Sequence, residues 1–279
     1  AEFFPRRIYS EETSEFNRIV YRDLGSTGYK VTEVGFGVMN TRDADLIIAA
    51  IDAGINYIDT AHSYMNGVNE EIIGTIMKTM RNKVFLTTKI SWRNPQEMPK
   101  MIETSLKRLQ TDYVDLLLLH SVRNEEQVLN DDFMKIFDNA RRKGQTRFVG
   151  FSTHTFPSKI LDATLKSNLW EAVLIAYNYM SPPEVSESIK KAREAGLAII
   201  GMKNLLNIQS RPRKPLEDIR KDKSKSTNQQ ALLKWVLNNR YVDTIIPGMT
   251  SFENLADDLA VMGMKLTFND QRILRRYSE

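Results

Sequence analysis

Eight short apolar runs alternate with eight helix-like stretches along this chain, and that alternation constrains its fold more than any other feature. The runs lie near 33–38, 55–59, 83–89, 113–120, 147–152, 172–177, 197–202 and 243–247. The helix-like stretches lie near 43–53, 69–80, 97–109, 132–143, 158–167, 184–195, 228–239 and 252–261. The runs are continuously apolar rather than alternating, as strands are when crossover helices bury both of their faces. Gly54, Gly144 and Gly196 stand where helices should stop, and glycine supplies the left-handed residue that ends a helix. Ile47, Ile48 and Ile51 share one helical face, as do Phe133, Ile136, Phe137 and Ala140. Eight unbroken βα units predict an α/β protein of the (β/α)8 TIM barrel type, not an open doubly wound sheet. Such a barrel takes about 250 residues, and the chain has 279. Residues 1–20 are polar and aperiodic and read as an N-terminal extension. Residues 21–279 form the barrel, with an N-terminal β-hairpin over Tyr21–Val31 and an extra C-terminal helix after Leu266.

Composition removes several function classes. No apolar run approaches the ~20 residues that span a bilayer, so no membrane partner is expected. The net charge of +4 comes from basic residues that are scattered and mostly alternate with acids, so no nucleic-acid partner is expected either. The absence of cysteine excludes disulfides, thiolate metal sites and a cysteine nucleophile. Compartment stays open between a cytoplasmic protein and an exported one whose signal peptide has been removed, and a monomer is the default expectation. The one long insertion, 204–227, carries seven basic against three acidic residues over Arg211–Lys225. It reads either as a solvated loop or as a lid closing over an anionic ligand.

Four polar residues stand at the ends of consecutive predicted strands or just beyond: Asp59, Tyr64, Lys89 and His120. Singly, each has a plain structural explanation: a turn cap, a half-buried aromatic, a snorkelling lysine, an interior histidine. Jointly they sit at the carboxyl-terminal face of a barrel, where active sites of this fold are built. Lys89, partly desolvated, needs an anion that Asp59 can supply. A cation beside the Tyr64 phenol favours phenolate, so Tyr64 can give a proton to an oxygen gaining negative charge. His120 can hold that oxygen in line. The set stabilises a developing alkoxide, and since no side chain is an obvious attacking group, a bound hydride donor fills the gap. Gly35-Phe36-Gly37 lacks the third glycine of a Rossmann fingerprint, so a nicotinamide would lie across the barrel mouth. A metal site from His62, His120 and His154 has no close ligand spacing, and no metal is expected. A barrel enzyme with a different proton-transfer role, such as an isomerase, remains as another reading.

Six motifs occur together here: Gly35-Phe36-Gly37, Asp59-Thr60-Ala61 with Tyr64, Thr88-Lys89, Asp115 with His120, Gly150-Phe151-Ser152, and Ile246-Pro247-Gly248. In order and spacing the chain resembles the aldo-keto reductase family over about residues 21–265. The resemblance implies NAD(P)H-dependent, reversible reduction of an aldehyde or ketone, with Tyr64 as general acid, Lys89 and Asp59 tuning it, and His120 orienting the carbonyl. It implies NADP or NAD as cofactor, held around Gly37, Val38, Asp59, Ser152, Thr153, Met202, Lys203, Leu205, Gly248 and Met249, and a small-molecule carbonyl substrate as partner. Ser152-Thr153-His154 and Met202-Lys203 look most like a bacterial branch whose members often carry a ferredoxin-like tail. No such tail follows here, nor the long C-terminal loop of other members, and an open pocket of broad specificity is expected.

The departures from the family pattern concern the cofactor. Thr153 stands for the usual Asn, Leu174 for a Gln and Met202 for an aromatic. Gly248 and Asn254 replace two expected cations, and Asp258 falls where an Asn grips adenine. The expectation is a lost or reduced NADPH preference. The alternative is a barrel of this kind with weak or lost turnover that acts as a ligand- or partner-binding protein.

Overall fold

The computed structural model describes residues 19–167, 169–205 and 226–277. Eight parallel strands form the central sheet in chain order: β3 (Phe36–Gly37), β4 (Tyr57–Asp59), β5 (Phe85–Ser91), β6 (Val114–Val122), β7 (Thr146–Thr153), β8 (Ala172–Ala176), β9 (Ala198–Met202) and β10 (Thr244–Ile245). A parallel bridge between Val34 and Ile245 closes the sheet. Around this seam the Gly35 and Gly37 amides donate to the Ile245 and Pro247 carbonyls at 2.8 and 3.1 Å. The (β/α)8 TIM barrel is therefore present, and consecutive strands neighbour one another throughout.

The helices match the predicted stretches closely: α1 (Ala44–Asp52), α2 (Val68–Met80), α3 (Met98–Leu109), α5 (Asp131–Arg142), α6 (Pro157–Thr164), α7 (Pro183–Glu194), α8 (Asn228–Leu237) and α9 (Phe252–Leu259). The short α4 (Glu125–Val128), capped by the Asn124 side chain, lies in a segment with no helical periodicity of its own. The C-terminal helix α10 spans Phe268–Arg275. Residues 1–18 of the predicted extension and most of the 204–227 insertion lie outside the described residues.

Two apolar layers hold the barrel. An outer layer between sheet and helices contains Ile58, Leu86, Leu117, Leu119 and Val149. An inner layer contains Tyr57, Phe85, Leu116, Leu118, Leu174, Ile200 and Met202. The hairpin β1 (Tyr21–Asp23) and β2 (Lys30–Thr32) caps the amino-terminal end, with Leu24 and Val31 buried in that inner layer. Tyr29 packs edge-on against Phe85 and Phe148, with ring centroids 5.4 and 5.6 Å away. The floor is thus closed by side chains, which leaves the carboxyl-terminal mouth as the open end.

Candidate active site

Strand periodicity delivers three of the four polar residues, Asp59, Lys89 and His120, to one place. Successive residues of a strand point to opposite faces, so on β4 the inward residue Tyr57 is followed two positions later by Asp59. On β5 the inward series runs Phe85, Thr87, Lys89, and on β6 it runs Leu116, Leu118, His120. Each strand therefore carries apolar residues low in the barrel and one polar residue at its top. Lys89 and His120 are not strand-terminal as expected; β5 continues to Ser91 and β6 to Val122. The cause at His120 is a register shift between Leu119 and Val122, with Ser121 left-handed at φ 59°. Ser121 donates its N–H to Ser152 Oγ at 2.8 Å, and its carbonyl accepts from Trp92 Nε1 at 3.2 Å. The bulge beside His120 is pinned by β7 on one side and by the residue following β5 on the other.

Lys89 is the hub. Its Nζ donates to Asp59 Oδ2 at 2.5 Å, to the Thr60 carbonyl at 2.7 Å and to Tyr64 Oη at 3.2 Å. These three acceptors use all three ammonium protons. Because Tyr64 Oη accepts from Lys89, its own O–H is left to donate elsewhere. The Tyr64 ring meets the His120 ring edge-on, with centroids 5.9 Å apart. Lys89 is 1% exposed and Asp59 2%, so neither ion is tolerable without the other. Burial presses the Lys89 ammonium down, but the charge and hydrogen bonds of Asp59 and Tyr64 outweigh it and hold Lys89 above its ordinary value. Burial, with smaller contributions from Lys89 and His154, drives His120 down to about 3. His120 is therefore a neutral imidazole across the physiological range, a hydrogen-bonding group and not a cation.

The residues expected at a cofactor divide into two groups. Gly37, Lys203, Leu205 and Gly248 keep some exposure at strand ends, and Lys203 is left-handed at φ 58°, its carbonyl accepting from Asn178 Nδ2 at 3.1 Å. Val38 and Met249 are fully buried, and Ser152, Thr153 and Met202 nearly so. Thr153 Oγ1 donates to the Val122 or Thr155 carbonyl, each 2.9 Å away. The Val38 carbonyl is already taken by Thr41 N–H and Asn69 Nδ2.

One buried acceptor at the mouth is free for a ligand. Asp59 Oδ1 is buried with no donor, although its twin oxygen is spent on Lys89. A ligand hydroxyl or amide entering the mouth would satisfy it. Gly37 cannot carry a side chain, since a Cβ would lie 2.8 Å from the Ile246 carbonyl, whereas a Cβ at Gly248 would meet nothing closer than 3.5 Å. The loop after β10 is therefore open to a ligand at Gly248.

Two of the departing residues are engaged within the protein. Asp258 is fully buried in α9, where its Oδ1 accepts from Gln229 Nε2 at 2.6 Å. Burial, reinforced by Asp257 and opposed by that hydrogen bond, pushes Asp258 up to about 7. Asn254 is likewise occupied, its Oδ1 accepting from Thr250 N and Oγ1 at 3.2 Å each.

Sequence reasoning missed the layer behind the tetrad. Glu70 accepts from Thr88 Oγ1 at 2.7 Å, Arg108 donates to Glu70 and to the His62 carbonyl, and Asn69 donates to the Val38 carbonyl at 2.8 Å. His62 Nδ1 is spent on Ser105 Oγ at 3.0 Å. Among the described residues no group of three or more His, Asp or Glu side chains is arranged to hold a metal ion. Among them, too, no helix is long and apolar enough to cross a membrane.

Comparison with known proteins agrees with this geometry. The family profile of the Aldo/keto reductase family matches residues 33–278. The uncharacterized oxidoreductase YqkF of Bacillus subtilis is 25% identical, over 92% of this chain and 96% of YqkF. The methylglyoxal reductase DkgB of Salmonella typhimurium is 29% identical, over 86% of this chain and 90% of DkgB. An aldo/keto reductase from Klebsiella pneumoniae, solved in complex with NADP and acetate, superposes with a TM-score of 0.75 at 22% identity, covering 92% of this chain and 94% of that one. The profile spans every barrel strand and all four residues gathered at the mouth, and on that breadth the chain belongs to the aldo/keto reductase family.

Proposed function

We propose that this protein reduces aldehydes or ketones to alcohols with a nicotinamide cofactor, using Tyr64 as the general acid. The observation that carries the reading is the spending of all three Lys89 protons on Asp59, Thr60 and Tyr64. That arrangement leaves the Tyr64 O–H as the proton source facing the mouth. The cofactor, when bound, supplies a hydride to the carbonyl carbon. As negative charge grows on the carbonyl oxygen, Tyr64 passes its proton to that oxygen. The adjacent ammonium stabilises the phenolate left behind. Neutral His120 donates a hydrogen bond to the same oxygen and orients it. Asp59 keeps Lys89 charged in a buried position and offers its free Oδ1 to the ligand. Family membership and the complex of the Klebsiella relative with NADP support a nicotinamide cofactor.

Cofactor choice follows from the charges near the mouth. Neither Gly248 nor Asn254 supplies a cation for a 2′-phosphate, and charge-assisted bonds to such a group are worth about 1.5–3 kcal/mol each. A reduced preference for NADPH over NADH is the reading. Asp258, held against Gln229 and pushed up to about 7, is only partly ionised at neutral pH, so its repulsion of a 2′-phosphate is weakened.

The test is NAD(P)H-dependent reduction of 4-nitrobenzaldehyde and of methylglyoxal, the latter chosen from the name of the Salmonella relative. Wild-type protein should turn over at least one of them, and Tyr64→Phe should lose at least about 100-fold in kcat, the usual scale for a positioned acid. Unchanged activity in Tyr64→Phe would exclude this mechanism. No turnover of any carbonyl by the wild type would exclude the function.

A further inference from the structure

Tyr64 sits on no strand; it opens a distorted single-turn 3-10 helix, Tyr64–Gly67. It lies in the segment 60–67 between β4 and α2, and three successive residues there are left-handed: Met65 at φ 50°, Asn66 at φ 55° and Gly67 at φ 96°. Two of these are not glycine, and such backbone persists only where the surroundings over-determine it. The backbone supports near these residues are single turns, Tyr64 N–H to the Ala61 carbonyl, Asn66 N–H to the Ser63 carbonyl and Val68 N–H to the Met65 carbonyl, while further back Thr60 and His62 N–H reach the Thr87 and Lys89 carbonyls of β5. The constraint must come from outside the segment.

One side chain is placed to supply that constraint. Arg108, at the end of α3, donates through Nη1 to the His62 carbonyl at 3.1 Å and to Glu70 Oε2 at 3.3 Å. Its guanidinium lies flat under Gly67, where an added Cβ would fall 2.3 Å from Arg108 Cζ. The approach is built into the helix crossing. Gly74 interrupts α2, and a Cβ there would fall 2.0 Å from the Arg108 carbonyl. A mid-helix glycine is otherwise unfavourable, and here it lets the end of α3 reach the Tyr64 segment. Glu70 is fully buried, and its other oxygen accepts from Thr88 Oγ1 at 2.7 Å. Thr88 is the chain neighbour of Lys89 and points to the opposite face of β5. The two residues therefore hold the segment from both sides of the strand. Lys89 contacts Tyr64 directly within the barrel, while Thr88 reaches it from outside through Glu70, Arg108 and the His62 carbonyl.

We propose that Arg108 is a positioning residue for Tyr64, clamping segment 62–67 with its three left-handed residues so that the phenol stays on Lys89 and its proton faces the mouth. The proposal rests on Tyr64 being the general acid. Arg108 touches no reacting atom and should affect kcat without affecting how cofactor or carbonyl is held.

The experiment compares Arg108→Met, Glu70→Gln and the double variant Glu70→Gln/Arg108→Met with wild type. Three quantities are read: steady-state kinetics on 4-nitrobenzaldehyde, cofactor dissociation constants from NAD(P)H fluorescence, and hydrogen–deuterium exchange by mass spectrometry without cofactor. Loss of one charge-assisted contact predicts a fall in kcat of roughly 10- to 100-fold, with KM and the cofactor constant within about threefold of wild type. Exchange in the peptide over 62–67 should speed up by a comparable factor while peptides of β8 and β9 stay unchanged. Arg108→Met also strands the Glu70 carboxylate, which destabilises the fold by itself. The double variant removes that charge, so it should regain thermal stability yet keep the kcat loss and the fast exchange. It also serves as the test protein should Arg108→Met not fold. Recovery of kcat together with stability in the double variant would overturn the proposal, leaving Arg108 as a mere counter-ion. Unchanged exchange at 62–67 would overturn it as well. A wild type that reduces no carbonyl would instead refute the general-acid reading, and the exchange comparison would still decide whether Arg108 orders the segment.

Discussion

Replacing Asp258 by Asn should make this protein's stability less sensitive to pH, and the size of the effect follows from the structure. Asp258 is fully buried between α8 and α9, with Gln229 donating to Oδ1 and no donor to Oδ2. Burial pushes the carboxyl up to about 7, against about 3.9 for an aspartate in an unfolded chain. The folded state therefore holds the proton more tightly than the unfolded one. The stabilising contribution is complete below about pH 4 and is lost as pH rises through the folded value near 7. At about 1.4 kcal/mol per pH unit, the gap amounts to about 4 kcal/mol over the full range, and to about 3 kcal/mol between pH 4.5 and pH 8. Asn cannot titrate. Its amide nitrogen, in the place of Oδ2, lacks a partner and costs about 1–3 kcal/mol, but equally at every pH.

The measurable quantity is the difference between variant and wild type, which cancels every other titrating group. Urea denaturation at pH 4.5 and pH 8 should show Asp258→Asn gaining about 3 kcal/mol relative to wild type between the two conditions. In thermal melts the same change is about 5–6 °C for a chain of this size. If the stability difference between the two proteins is the same at both pH values, Asp258 is ionised in the native state at pH 4.5. The argument from its burial then fails.

Lys89→Met should lower stability by about 3–5 kcal/mol at pH 8, because it strands the buried Asp59 carboxylate; adding Asp59→Asn should return much of the loss, and urea midpoints for the three variants check this. Fluorescence titration with NADPH and NADH should give dissociation constants within about tenfold of each other, since two charge-assisted bonds are missing; sub-micromolar NADPH binding with far weaker NADH binding would show the charge argument wrong.

The parts legible in the sequence are those governed by local periodicity. Eight apolar runs became eight strands because crossover helices bury both faces of each. The helix ends marked by Gly54, Gly144 and Gly196 all carry positive φ, at 107°, 71° and 99°. Asp59, Lys89 and His120 were visible as polar residues closing apolar runs, although the two-residue side-chain period, not strand termination, is what aims Lys89 and His120 inward. Two features were not legible because they depend on tertiary contacts. Arg108 follows Lys107 in the last turn of α3, where a basic pair reads as the ordinary complement of a helix dipole. Only the approach over Gly74 turns it toward Gly67. Asp258 occupies a position where the family resemblance implies contact with adenine, and no local pattern reveals that Gln229, 29 residues earlier, takes its side chain instead.

This division has a consequence for the chemistry. Residues that contact the reacting atoms must converge on one point, and a parallel barrel achieves that with inward-facing positions near the tops of its strands, so they can be read from the strand pattern. Tyr64 is the exception, because it reaches the mouth on an irregular segment that has no period to fix it. Its position is set by what the segment packs against: Lys89 on one side, and on the other Arg108 held by Glu70. Of the four mouth residues, Tyr64, the proposed proton donor, is thus the one placed by an irregular segment rather than by a strand. Substitutions at 67, 70, 74 or 108 should for that reason lower turnover more than cofactor affinity, although none of these residues lines the mouth.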